Sequence, residues 1–596
     1  MRSSAALLLV TLAGVGVAGC GEDAPPLPDG RRDAGPCSLR PERCDGRDND
    51  CNGVVDDTGL SELCDGSDQD CDGTVDEGAG CETFDAPGPD GWTLTPRSSG
   101  VFVDEDGLLV LEPPRVDLVQ PAVWIANTNE GTVSRLDAAT GREVARYTSV
   151  DDTSGLLPGG GNLPSRTALD QRLDAYVANR AFDGQASVTK IAGDRARCID
   201  RDLDGVIETS EDLDGDGTIS LVPELGEHVG PADECLLWTQ PVGSTNAIAR
   251  ALAIGLVGPD GEPGDVWVGL FNERRVLVLS REDGHEVASV PVPIPPYGAV
   301  AGVDGTVWLT SGPSPSGVIV GIDPESLEVE RVPLPEGMTT YGITVDGLGR
   351  VLLAATRRSG PAAFFGVIAY DPRTDAWSIS ERLPGSGTTS VPMRGVAASA
   401  DRVLVSGRGD RDESVVHVLR TTDLALVETH AFGAREIVGV GVGFDGAYWA
   451  IDQHASRAYR RTEGGAWIGH PVGAGPYTYS DFTGFGLNGV LGTVGLHRIT
   501  IEGCEGAVWT ALLLDGDLPV ETSVSLRVRT ASAREELAAA AWIGPFEPPS
   551  ASLVAPPGPV PAGRFLEVSL RLSSTTPGVV PRVRSVTASA RCDDVL

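Results

Sequence analysis

Asp200, Asp202, Asp204, Gly205, Ile207, Glu208 and Glu211 stand at positions 1, 3, 5, 6, 8, 9 and 12 of a twelve-residue stretch. Alternate carboxylates on one side of a turn, a glycine at the sharp bend and a closing glutamate make the oxygen cage that holds Ca²⁺. A second loop follows at once, with Asp212, Asp214, Asp216, Gly217 and Ile219 repeating the first half. Its position 9 is Ser220, and Pro223 stands where the closing glutamate belongs, with Glu224 one place late, so the second loop is the weaker. No amphipathic helices flank the pair, which predicts a loop site and not a helix-loop-helix sensor.

A second acidic block is a tandem repeat. Residues 44–57, CDGRDNDCNGVVDD, are echoed by 64–77, CDGSDQDCDGTVDE. Each contains D-x-D-x-[ND]-G-x-V-D, offering Asp48, Asp50, Asn52 and Asp56 in the first copy and Asp68, Asp70, Asp72 and Asp76 in the second. Oxygen ligands of this kind favour Ca²⁺ over soft metals. The unit resembles the cysteine-containing "putative metal-binding motif" repeats of exported bacterial proteins, a family linked by name to copper. These repeats give copper neither His nor Met, so the expected cofactor is Ca²⁺.

The 596-residue chain carries a formal net charge of −39, from 85 acidic and 46 basic residues. Residues 20–83 and 194–235 contribute −13 and −10, more than half of it in under a fifth of the chain. Such a field repels phosphate backbones and excludes nucleic acid as a partner. With 41% hydrophobic residues the chain has the means for several cores, which excludes disorder throughout.

Met1 and Arg2 precede an apolar run, 5–18, that is too short to span a bilayer and reads as an export signal. It ends Gly16-Val17-Ala18-Gly19-Cys20, which resembles the lipobox of bacterial lipoproteins. The resemblance implies that Cys20 becomes an acylated N-terminus, and two or more chains anchor a protein stably. Gly21 after Cys20 lacks the aspartate associated with inner-membrane retention, so the expected location is the cell envelope, lipid-anchored at the outer membrane. The ten remaining cysteines form three groups: 37, 44, 51, 64, 71 and 81; Cys198 with Cys235; and Cys504 with Cys592. An even number in an exported chain predicts disulfides within each group, with the pairing in the group of six left open.

The elements that must position these residues are strands. Short runs resembling one another centre on Trp124, Tyr176, Trp267, Trp308, Leu352, Leu404 and Trp449. Once the 42-residue acidic insert 194–235 is subtracted, they recur every 40 to 50 residues, the length of a four-stranded propeller blade. A Gly- and Ala-rich apolar strand precedes most of them, suited to crowding near a central axis. The first module lacks one, and residues 477–486 have the character to supply it, closing a ring of seven. The wording of VDGTVWLT (303–310) and YGITVDGLGRVLLA (341–354) resembles the bacterial seven-bladed propellers that include virginiamycin B lyase and related NHL-like repeats. From residue 495 alternating strands predict a β-sandwich, which residues 97–112 are placed to join.

The expected fold class is therefore all-β: a seven-bladed β-propeller with a C-terminal β-sandwich and a disulfide-rich N-terminal repeat region. The expected organisation is signal peptide 1–19, lipid-anchored linker 20–36, metal-binding repeats 37–83, connector 84–120, propeller 121–492 and sandwich 493–596.

The seven histidines show no H-x-x-x-H spacing, and neither G-x-S-x-G nor a phosphate loop occurs. A lyase would place histidine where the inner strands begin, at the channel mouth. Those starts carry Arg166, Arg250, Tyr297, Tyr341, Arg394 and Asp481, a set suited to an anionic or sugar ligand. The leading expectation is a calcium-binding envelope lipoprotein that acts as a non-catalytic binding or scaffold module, its partner a glycan, an anionic ligand or a surface protein. The alternatives are a propeller lyase or hydrolase and a calcium-dependent surface adhesin.

Overall fold

The computed structural model describes Cys44, residues 54–56 and most of residues 58–592. The expected signal, Cys20 and tether, the ligands Asp48, Asp50 and Asn52, and Cys37 and Cys51 lie outside the described residues. So do 89–90, 95–97, 112–120, 151–161, 257–263, 358–362, 386–392, 487–493, 575–578 and some shorter stretches.

Six four-stranded antiparallel sheets follow one another along 164–245, 249–291, 298–333, 339–379, 393–433 and 437–471, each with its strands in chain order. A three-stranded sheet of Ala122–Asn127, Thr132–Asp137 and Glu143–Thr148 precedes them. Its missing inner strand comes from the end of the ring. The Trp124 N–H donates to the Phe482 carbonyl at 2.9 Å, the Tyr477 N–H donates to the Ala126 carbonyl at 2.9 Å, and Asn127 bridges Pro476. Seven blades thus close with a late segment, as the sequence predicts, and the hydrogen bonds of the first blade's edge are satisfied.

All seven repeated runs are second strands, and alternation turns one of each pair of side chains into the space between blades. Trp124, Trp308 and Trp449 are fully buried there. Burying a side chain of this size stabilises the fold by at least about 1.5–3 kcal/mol. The inner strands are crowded, as their composition suggests. A Cβ on Gly395 would lie 2.9 Å from the Val438 carbonyl oxygen, and one on Gly439 would collide with the Thr478 carbonyl, across the closing seam. Gly439→Ala is therefore expected to destabilise by about 1–3 kcal/mol through overpacking. Denaturant unfolding checks this, and an unchanged midpoint would mean that the seam has room to spare.

The C-terminal region packs two sheets face to face. One orders Val494–Glu502, Phe565–Ser574, Thr522–Ala531 and Ile543–Phe546. The other pairs Arg582–Arg591 with Val508–Asp517, and on its far side with Glu82–Ala86 and Leu109–Leu111. Alternate residues such as Leu512, Val568, Leu570, Val586 and Ala588 form one core with Trp92, Leu109 and Leu111. The segment before the propeller therefore completes a domain that follows it. Cys504, before Val508, is bonded to Cys592, after Arg591, and Cys198 is bonded to Cys235 at the two ends of the acidic insert. Among the described residues of the N-terminal group, Cys44 pairs with Cys71 and Cys64 with Cys81.

Candidate functional site

The acidic insert leaves the third strand of the second blade after Ile191 and returns to its outer strand at Leu236. Its two loops have the internal geometry that their spacing demands. Gly205 and Gly217 adopt φ of +87° and +85°, where a side chain would be strained. The Gly205 N–H donates to Asp200 at 2.9 Å and the Gly217 N–H to Asp212 at 2.9 Å, the same bond in each loop. Position-5 carboxylates take the next turn, Asp204 from Val206 N–H and Asp216 from Thr218 N–H, both at 2.8 Å.

The glutamates nearest the loop aspartates are Glu234 and Glu227, and Glu211 stands apart from them. Glu211 is exposed and pairs with Arg195 at 3.3 Å. Beside loop one stands Glu234, one of whose oxygens lies within 4.8 Å of oxygens of Asp200 and Asp202. Beside loop two stands Glu227, in the same relation to Asp212 and Asp214. Glu234 and Glu227 are 4% and 3% exposed, and accept N–H bonds from Glu208 at 3.1 Å and Ser220 at 2.8 Å. The chain turns back after loop two, so that the Glu211 N–H donates to the Glu227 carbonyl and the Glu234 N–H to the Glu208 carbonyl. The Cys198–Cys235 bridge then sets Glu234 beside Asp200. Glu208 groups with Asp202 and Asp204. Loss of hydration, together with Asp204, Asp202 and Glu234 nearby, pushes its carboxyl above the usual range.

The insert is fixed to the outer strand of the first blade. Glu143, fully buried, holds Arg146 through two hydrogen bonds of 2.8 and 2.6 Å and accepts the Ile219 N–H at 2.9 Å. The Glu143 N–H donates to Gly217 at 3.1 Å, and the Arg146 N–H to Ser210 Oγ at 3.0 Å.

In the second N-terminal repeat, Asp68 and Asp70 group with Glu62, a residue that the D-x-D pattern misses because it precedes the loop. Glu62 accepts N–H bonds from Gln69, Asp70 and Asp76 at 2.6, 2.9 and 3.0 Å. Asp72 accepts the Thr74 N–H at 2.8 Å, the bond that Asp204 and Asp216 make in the insert, and Asp76 accepts the Asp65 and Gly66 N–H groups on Oδ1 while its buried Oδ2 has no hydrogen-bond partner.

At the channel mouth the structure gathers Arg166, Arg250, Tyr297 and Tyr341, and adds Tyr477, Tyr479 and Arg180. Tyr297, Tyr341 and Tyr479 are buried together with Tyr477 and Phe271 against them. The Tyr341 and Tyr477 hydroxyls are 2.6 Å apart, and Arg250 donates to the Tyr297 hydroxyl at 2.6 Å. Arg394 stands beside them but is paired with Glu436 at 2.8 Å. Asp481 lies at the other end of the channel. Residues 477–482 run extended along the first blade's second strand, bonded at both ends to Ala126 and Trp124, so at about 3.3 Å per residue Asp481 sits well past the mouth. There it accepts Gly484 N–H at 2.8 Å and lines a void of about 60 Å³ with Leu169, Ile254 and Ala398. Two of the buried histidines serve structure: His417 bonds Thr429 and the Pro384 carbonyl, and His497 bonds Ser98 in the sandwich.

Residues 38–57 and 58–77 each match the family model described as "Putative metal-binding motif", of the Cu-binding MopE type. No curated protein matches the chain. Among solved structures, a streptogramin B lyase is 15% identical, with a TM-score of 0.38 over 62% of this chain and 93% of that one. Virginiamycin B lyase from Staphylococcus aureus is 14% identical, with a TM-score of 0.35 over 52% and 85%. BamB from Moraxella catarrhalis is 12% identical, with a TM-score of 0.34 over 66% and 96%.

Proposed function

We propose that this chain is a calcium-loaded propeller of the bacterial cell envelope, held at the outer membrane by acyl chains on Cys20 and acting as a non-catalytic binding or scaffold module. One observation carries the calcium reading: two buried glutamates, Glu227 and Glu234, face the aspartates of two adjacent loops. Burying a carboxylate among other carboxylates is costly unless a cation joins them. The donors are all oxygen, which suits Ca²⁺. The name of the matched family points to copper, but Glu62, Asp68 and Asp70 also offer only oxygen, and Cys44, Cys64, Cys71 and Cys81 are tied up in disulfides. That set favours a hard cation over a soft one.

Calorimetric titration of the purified full-length protein with Ca²⁺, and separately with Cu²⁺, tests the reading. Calcium binding is expected, with Glu234→Gln and Glu227→Gln each weakening one site by more than about tenfold. Copper binding without calcium binding, or calcium binding indifferent to both variants, would overturn it.

A further inference from the structure

Three guanidiniums at the channel mouth have no carboxylate partner among the described residues. Arg166 lies 3.3 Å from the ring centre of Tyr479, Arg180 is 4.9 Å from that of Tyr477, and Arg250 is 4.2 Å from that of Tyr297. Arg166 donates to the Tyr297 carbonyl at 2.9 Å, and Arg180 to the Leu163 carbonyl at 3.1 Å. Among the described residues none of the three forms an ion pair with a carboxylate, whereas Arg394 next to them has Glu436. Arg166 is only 2% exposed, yet its Nη1 has no hydrogen-bond partner, and the buried Nε of Arg250 has none either. Burial, and the cations of Arg250 and Arg166, pull Arg180 down to about 10. Like charges this close and this dry call for an anion among them.

We propose that the mouth of the channel binds a small oxyanion on Arg166, Arg180 and Arg250. This names a ligand class for the binding module proposed above, and it is independent of the calcium loops. Guanidinium groups match carboxylate and phosphate oxygens in geometry as well as charge. Arg250 and Tyr477 are half-buried and leave the cluster an open side.

Tyr479 is faced by Arg166, Arg180 and Arg250 from the second and third blades, by Tyr297 and Tyr341 from the fourth and fifth, and by Tyr477 on its own segment; the Arg394–Glu436 pair stands beyond. Against burial, the charges of Arg166 and Arg250 and hydrogen bonds with Tyr297 and Tyr477 bring its phenol down to about 7. The sign follows. Below pH 7 Tyr479 is neutral, the arginines are uncompensated and the anion binds best. Above pH 7 the tyrosinate already neutralises them, so that a bound anion must bring a proton to Tyr479, and affinity falls by up to about tenfold per pH unit.

The test is calorimetry of the full-length protein with sodium acetate and with sodium sulfate, a planar and a tetrahedral oxyanion that do not titrate near pH 7, from about pH 6 to about pH 9. At least one probe is expected to bind, with affinity flat below pH 7 and falling above it. Tyr479→Phe should make binding independent of pH, and Arg180→Met should weaken it by about tenfold or more. The preferred probe separates a carboxylate ligand from a phosphate-like one. Absence of binding by both, or binding unmoved by Arg180→Met, would overturn the proposal whatever the calcium titration shows.

Discussion

Chelating divalent cations from the protein is expected to lower its stability by about 2.7 kcal/mol for each site previously held at a hundredfold its dissociation constant, or about 5 kcal/mol for the two loops of the insert. The insert concentrates a charge of −10 in 42 residues. Without a cation Asp200, Asp202 and Glu234 repel one another across a few ångströms, as do Asp212, Asp214 and Glu227. The loss reaches the propeller because the insert is bonded to the outer strand of the first blade, the blade that closes the ring. Thermal unfolding with calcium and with chelator checks this, along with the Glu227→Gln and Glu234→Gln variants, which should be less sensitive to the chelator. Identical melting curves would remove calcium from the account of stability.

Glu143→Ala is expected to cost about 3–5 kcal/mol, the range for leaving one partner of a buried ion pair behind. The substitution takes two hydrogen bonds from Arg146, leaving Glu130 at 3.2 Å as its remaining acidic partner. It also orphans the N–H of buried Ile219, the apolar residue at position 8 of the second loop. Two readouts should move together: the midpoint of denaturant unfolding and the calcium affinity of the second loop. The first loop, beside Glu234 and the Cys198–Cys235 bridge, should keep its affinity. Equal weakening of both loops would mean that Glu143 supports the whole insert and not loop two alone.

A disulfide holds the insert, and on the proposed reading a cation would hold it too, with the two dividing the work. The bridge fixes where Glu234 lies, and a bound cation would offset the repulsion that results. The closing segment 475–482 has a similar double duty, since it completes the first blade and carries Tyr477 and Tyr479 to the channel mouth.

What the sequence determined by itself is what local periodicity can encode. Second-strand runs recurring at blade length, glycines in the inner strands and alternation in the sandwich each follow from a strand's two-residue repeat, and the described sheets follow them. Positions 1, 3, 5 and 6 of the calcium-type loops were likewise legible, because those residues bond within one turn. Tertiary structure alone decided which glutamates stand beside them. Glu234 and Glu227 are distant along the chain from the loops' first aspartates, and Glu62 comes before its loop, so no twelve-residue pattern contains them. It also decided the mouth of the channel. Arg180 follows a second strand and has no repeated position, while Asp481 and Tyr479 differ by two residues along one strand, enough to put them at different depths in the channel. Register along a strand is set by hydrogen bonds to a neighbour some 350 residues away, the Tyr477 N–H to the Ala126 carbonyl, and not by the residues adjoining it in the chain.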